Sequence, residues 1–103
     1  MVTRGEVRWL MVDKARPAVL LNREAVIDRL TSLIVAPCTS RIRGFPTEVP
    51  LDESDGMPQH CVVSLDNVTL VDRSLVGSLI TTLSTERMAA LCEALSIAVG
   101  CDC

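Results

Sequence analysis

The residues best suited to chemistry lie close together, in Thr39-Ser40-Arg41-Ile42-Arg43-Gly44. Two hydroxyls followed by two guanidiniums suit an anion, most simply a phosphate. A hydroxyl donates one hydrogen bond, and each planar guanidinium fork can hold two oxygens at once. Arg16 and Lys14 add two cations beside another expected loop, and Asp66-Asn67 ends a later apolar run with polar groups. The plainer reading is an ordinary β-hairpin whose arginines keep its tip wet, and on pattern alone that reading comes first. Asp66-Asn67 is likewise as often a turn as a site.

Other reactive residue types carry less. His60, the single histidine, falls in the polar run Asp52–His60 and reads as solvated rather than as a general base. The five cysteines, Cys38, Cys61, Cys92, Cys101 and Cys103, are odd in number and show no C-x-x-C pair. Reduced thiols fit them better than bridges or a zinc site. No clustering of His, Asp and Glu suits a resident metal, so no metal and no cofactor are expected.

The elements that must position these groups read as mainly strands. Glu6–Asp13 alternates, with Val7, Trp9 and Met11 on the expected inner face. After a tight Asp13-Lys14-Ala15 connection, Arg16–Asn22 is a second strand, with Arg16 at its mouth. Arg23–Leu30 is a short helical surface excursion. Leu33–Ala36 is a buried central strand whose ladder ends or bulges at Pro37. Thr47–Leu51, Cys61–Leu65, Val68–Val71 and Gly77–Leu83 follow as further strands. Ser84 or Thr85 then caps a helix with an apolar stripe of Met88, Leu91, Cys92, Leu95 and Val99, stopped by Gly100. Six or seven short strands and one terminal helix describe a small β-barrel. Ala18 and Leu20 are apolar as well as Val19 and Leu21, so both faces of the second strand need cover, and a homodimer contact would supply it.

Composition bounds the function. At 103 residues the chain holds one domain with a core, and a 49% hydrophobic content excludes a disordered tail. One Trp, one Phe and no Tyr make that core aliphatic. A net charge of −3 argues against a protein that coats nucleic acid generally. Arginine supplies nine of the ten basic residues, which favours forked contacts over point charges. No apolar run approaches the ~20 residues of a membrane span, so no membrane partner is expected. The first residues lack the order of a signal peptide, so a cytoplasmic location is expected.

Several segments together resemble the MazF/PemK toxins of bacterial toxin–antitoxin pairs. They are Arg4-Gly5-Glu6-Val7, Arg16-Pro17-Ala18-Val19-Leu20, Val35-Ala36-Pro37-Cys38-Thr39-Ser40, Pro46-Thr47-Glu48-Val49-Pro50-Leu51, Gly56-Met57-Pro58, Leu65-Asp66-Asn67 with Val71-Asp72, and Leu83-Ser84. Each is weak alone, whereas their order and spacing are specific. The resemblance implies a single toxin domain over 1–103, an SH3-like barrel of the CcdB/MazF type, a homodimer, and a cognate antitoxin as partner. It further implies metal-independent cleavage of single-stranded RNA, with Arg16 and Thr39 in the key catalytic positions and Asp66 matching an Asp of the PemK branch. Lys14, Ser40, Arg41, Arg43 and Asn67 are then candidate substrate-binding residues.

The chain also departs from that pattern. Its first loop is short and contributes no His, and Ser64 stands where the PemK branch has an Arg. Arg8 replaces an aromatic often found after the opening motif. Glu6 is a second candidate base beside Asp66. A non-catalytic CcdB-like inhibitor of a protein such as DNA gyrase is the alternative, but the ending Val99-Gly100-Cys101-Asp102-Cys103 lacks the aromatic that such toxins use.

Overall fold

Short β-branched and aliphatic runs, punctuated by Gly, Pro and Asp, become seven strands before one longer periodic segment turns helical. The computed structural model describes residues 2–12 and 14–101. The strands are β1 (Glu6–Met11), β2 (Ala15–Leu20), β3 (Ser32–Thr39), β4 (Glu48–Leu51), β5 (Cys61–Ser64), β6 (Thr69–Asp72) and β7 (Val76–Thr82), followed by helix α1 (Thr85–Ala98). All pairings are antiparallel, in the order β4-β5-β3-β2-β1-β7, with β6 also on β3. The outer strands of that order, β4 and β7, are not neighbours. The SH3-like barrel is therefore half-open rather than closed by a continuous ladder.

β3 organises the sheet, and it runs through Pro37 instead of stopping there. Along one edge its first half pairs with β6 up to Val35↔Thr69, and its second half pairs with β5 from Cys38↔Val63. Pro37 falls in the gap between the two partners while still standing opposite Ala18 of β2. A residue without an N–H costs least where the ladder changes hands. β3 and β4 do not form a hairpin, because β5 lies between them. The Thr39–Pro46 segment thus crosses over a neighbouring strand, and simple tip solvation does not describe it.

Two cores flank the sheet. One gathers Val7, Val19, Ala36, Leu51, Val63 and Leu65 beneath Leu91 and Ala94 of α1. The other gathers Val2, Leu10, Ala18, Leu20, Leu33 and Val35 around Ile27. Ala18, Val19 and Leu20 are all fully buried within one chain, so the two apolar faces of β2 are covered without a partner. The segment before β3 is accordingly more than a surface excursion. Its 3-10 turn, Ile27–Arg29, seals the second core with a fully buried Ile27. Arg73 clamps that turn, donating to the carbonyls of Leu30 (2.7 Å) and Ile27.

Two apolar stripes differ from their expected form. In β1 the inward residues are Val7 and Leu10, whereas Met11 is exposed and Trp9 is half-buried. The ladder with β7 slips between Val7 and Arg8 and again before Leu10, which breaks strict alternation. In α1 the buried residues are Leu91 and Ala94, while Cys92 and Val99 face solvent. A small alanine lets the helix approach the sheet, and it adds little to an apolar count. Ser84 is the N-cap, accepting from the Arg87 N–H at 3.2 Å. Among the described residues no helix is long and apolar enough to cross a membrane.

Candidate functional site

The chain ends of β2, β3, β4 and β5 converge on a cavity of about 450 Å3. β2 contributes Arg16, β3 contributes Pro37, Cys38 and Thr39, and the crossing loop contributes Arg41, Arg43 and Phe45. Glu48 opens β4, Ser64 ends β5, and Asp66 and Asn67 stand on the 3-10 turn that follows. Six of the eight residues expected at a site therefore line one space. Lys14 lines an adjoining cavity of about 270 Å3 that shares Arg16 and Pro37 with the first. Ser40 is exposed beside them and lines neither cavity.

The crossing loop is held by a carboxylate. Glu48 Oε1 accepts the backbone N–H groups of Arg43 (3.2 Å), Gly44 (2.8 Å) and Phe45 (3.3 Å). Gly44 sits at φ +81°, a left-handed geometry that an L side chain would strain. Glu48 N–H donates back to the Phe45 carbonyl at 3.1 Å, so the loop closes on the first residue of β4. Thr39 Oγ1 accepts the Arg41 N–H at 3.1 Å. That bond makes Thr39 a turn hydroxyl, yet it engages only a lone pair, and the O–H remains available as a donor.

Asp66 is oriented by a neighbouring hydroxyl. Its Oδ2 accepts the hydroxyl of the buried Thr47 at 2.5 Å, and Asp66 itself is exposed. Asn67 Nδ2 donates to Ser64 Oγ at 2.7 Å, which fixes its carboxamide against the end of β5. By contrast, the guanidiniums of Arg16, Arg41 and Arg43 make no side-chain hydrogen bond or ion pair among the described residues. A contact between Arg16 and Asp13 lies outside the described residues.

Glu6 does not reach the cavity. It is buried at the start of β1, accepting Arg8 Nε at 2.8 Å and Thr3 N–H at 3.1 Å. Burial pushes its pKa up, but the hydrogen bonds from Arg8 and Thr3 outweigh this and hold it below the usual value. His60 is exposed and lies away from the cavity lining. Among the described cysteines Cys38, Cys61, Cys92 and Cys101 are free thiols, and Cys103 lies outside the described residues. Cys38, on the cavity wall, is influenced by the neighbouring Cys61 thiol. That influence and burial push its pKa far up, so it stays a thiol. Among the described residues no three His, Cys, Asp or Glu side chains come together as a metal site.

Three contributors were not legible as site residues: Thr47, Glu48 and Ser64. Thr47 and Ser64 each act through one side-chain hydrogen bond and Glu48 through several to the crossing loop, contacts that sequence spacing does not reveal. For Glu48, a carboxylate four residues after Gly44 and beyond a Pro is a weak hint of a loop clamp.

Among the described residues, a half-open antiparallel barrel thus gathers around one cleft three guanidiniums without a side-chain partner, a hydroxyl with its donor free and an oriented carboxylate, a combination chemically suited to an anion. Residues 3–99 match the family described as PemK-like, MazF-like toxin of type II toxin–antitoxin system, and the chain belongs to that family. It is 43% identical over 102 residues to the probable endoribonuclease MazF5 of Mycobacterium tuberculosis, covering 96% of this chain and 94% of that protein. The structure of the M. tuberculosis toxin MazF-mt6 superposes with a TM-score of 0.89 at 39% identity, over 95% of this chain and 99% of that one. A MazE–MazF structure from Deinococcus radiodurans gives a TM-score of 0.82 at 25% identity, over 98% of this chain and 97% of that one.

Proposed function

We propose that the endoribonuclease activity of this toxin is exerted on single-stranded RNA by Arg16, Thr39 and Asp66, leaving 2′,3′-cyclic phosphate and 5′-hydroxyl ends. The observation that carries this reading is the shared cavity: a cation, a donor hydroxyl and an oriented carboxylate line one space of about 450 Å3. Asp66 takes the proton from the 2′-OH, whose oxygen then attacks the adjacent phosphorus. Thr47 holds one Asp66 oxygen and leaves the other free for that proton. Arg16 binds two phosphate oxygens and stabilises the added charge as it develops. Thr39, its lone pair engaged by Arg41, donates its hydroxyl hydrogen to the same phosphate. The bond from phosphorus to the 5′-oxygen breaks, that oxygen takes a proton from water admitted by the open cleft, and the hydroxide so formed takes the proton back from Asp66. Lys14, Ser40, Arg41, Arg43 and Asn67 bind the flanking phosphates and bases.

The experiment is cleavage of a mixed-sequence RNA in EDTA, with end-group analysis of the fragments. Undiminished cleavage giving 5′-hydroxyl ends supports the mechanism; loss of activity in EDTA, or 5′-phosphate ends, replaces it with metal-dependent chemistry.

Residues 1–103 act in this reading as one toxin domain, cytoplasmic and paired as a homodimer. Since β2 is covered within the chain, the support for dimerisation comes from elsewhere. Met11, Val12 and Leu79 are exposed at 53, 60 and 49% around the β1–β7 edge, more apolar surface than one short ladder ordinarily leaves bare. Sedimentation at micromolar concentration should show twice the 11.2 kDa chain mass, and a lone 11.2 kDa species would remove the dimer.

A further inference from the structure

Phe45 is unexplained by the fold. It is the only Phe of the chain, 51% exposed, and it contributes to neither core. An exposed phenyl ring is ordinarily mobile and loosely placed, but this one stands on a backbone pinned from both sides. Its N–H donates to Glu48 Oε1 at 3.3 Å, and its carbonyl accepts the Glu48 N–H at 3.1 Å. Pro46 follows directly and restricts the Phe45 backbone further. The ring lines the cavity that also holds Arg16, Thr39 and Asp66. The other aromatic, Trp9, is half-buried in β1 and does not line that cavity.

We propose that Phe45 is the base-stacking platform of the cleft, fixing the nucleobase beside the phosphate held by Arg16, with Glu48 as the positioning residue that keeps the ring in place. The proposal rests on the RNA-cleaving reading of the same cavity. A guanidinium reads only the phosphate, which is the same at every nucleotide, whereas a ring face meets the base itself. Stacking on an aromatic ring is sequence-tolerant in kind, yet it fixes where the base sits and hence which phosphate meets Arg16. Ordering of the loop is already met by Glu48 and Gly44, so little is lost when RNA binds. Arg41 and Arg43 precede Phe45 by four and two residues and line the same cavity, and their charge favours a polyanion over an apolar partner segment.

The test uses an RNA heptamer that the wild-type chain cuts, made uncleavable by 2′-O-methylation, and versions with one base at a time removed. Phe45→Leu should weaken binding of the intact heptamer about 5- to 150-fold, the range of one lost stack. It should raise KM for the cleavable heptamer with kcat nearly unchanged, and Phe45→Trp should bind at least as well as wild type. Glu48→Ala should reproduce the KM effect, and Phe45→Leu combined with it should be little worse than either. The deciding readout is coupling. At one abasic position the Phe45→Leu penalty should vanish, while at the others it should persist.

A penalty equal at every abasic position, or no penalty with an unchanged melting temperature, overturns the stacking role. So does Phe45→Leu acting only on self-association or on antitoxin binding, since the ring then belongs to a protein interface. Failure of the underlying reading looks different: the wild-type chain would cut no RNA, or Arg16→Ala would cut as well as wild type.

Discussion

The cavity of about 510 Å3 beside Asp55 and Arg87 and the one of about 450 Å3 beside Arg16 and Asp66 are similar in size and opposite in how they treat charge. In the first, the Asp52–Gly56 loop is a closed capping box, with the Ser54 N–H on Asp52 Oδ1 (2.9 Å) and the Asp52 N–H on Asp55 Oδ2 (3.0 Å). Asp55 Oδ1 accepts Arg87 Nε at 2.9 Å, and Thr81 Oγ1 donates to the Asp55 carbonyl at 2.9 Å. Gly56, at φ +91°, is required there twice over, because a Cβ would also collide with the Thr81 hydroxyl. In the second, Glu48 and Asp66 bind a backbone and a hydroxyl, and three guanidiniums have no side-chain partner among the described residues. Charges that serve the fold are matched within the chain. Those left unmatched around a cleft are the ones the proposed RNA phosphate would compensate.

The sharpest way to break this contrast is to remove one arginine from each side. Arg16→Ala should lower the cleavage rate about 10²- to 10³-fold, the usual cost of one transition-state donor, and leave the melting temperature nearly unchanged. Thr39→Ala should cost less, since a neutral donor is lost instead of a full charge. The double variant should be little worse than Arg16→Ala, because both act on one phosphate. Arg87→Ala should do the reverse, lowering stability without slowing cleavage. Full activity in Arg16→Ala, measured on RNA in EDTA, would end the argument for a catalytic cleft.

A smaller effect tests whether the same unmatched charge receives the antitoxin. A flexible acidic and apolar segment laid over Lys14, Arg16, Arg41 and Arg43 would compete directly with RNA phosphate. Arg41→Glu with Arg43→Glu should weaken antitoxin binding on the order of tenfold and flatten its salt dependence. Titration calorimetry at two salt concentrations measures both, and unchanged affinity would move the docking surface elsewhere.

Much of this was legible in residues. The strands, the helix with its cap at Ser84 or Thr85, and the choice of Arg16, Thr39 and Asp66, which line one cavity, follow from local pattern together with the order of the family motifs. The misreadings arose where tertiary geometry overrides pattern. Pro37 reads as a strand end, but its missing donor falls between two partner strands. Met11 fits the inner stripe of β1 until the slipped ladder with β7 turns Leu10 inward instead. Ile27 resembles a surface residue because nothing local shows that β3 and β6 leave a face for it to cover. Thr47 and Asp66 lie 19 residues apart, and only the fold brings the hydroxyl to the carboxylate.

The smallest expected effect concerns the Asp55–Arg87 pair and its pH dependence. The hydrogen bond from Arg87 holds the Asp55 carboxyl below its ordinary value. A carboxyl with a lowered folded pKa binds its proton more weakly folded than unfolded, so acid favours the unfolded chain. The stabilisation is therefore complete above the unfolded value of about 3.9 and is lost as pH falls through it toward the lowered folded value. Arg87 is about a third exposed, with 35% of its side chain accessible, so solvent screens the pair and the gain is limited to about 1 kcal/mol. Other carboxylates with lowered values, Glu6, Asp52 and Asp72, act in the same direction, so the wild-type profile alone cannot isolate Asp55. The difference between wild type and Arg87→Ala removes the Glu6 and Asp72 contributions and reports chiefly on Asp55, with a lesser part from Asp52, whose carboxyl the Arg87 charge also lowers. Urea unfolding should show the variant about 1 kcal/mol less stable at pH 6 to 7 and the gap closing by about pH 3. A gap that persists undiminished at low pH would mean that Arg87 supports the loop by packing its stem, and that its charge adds little.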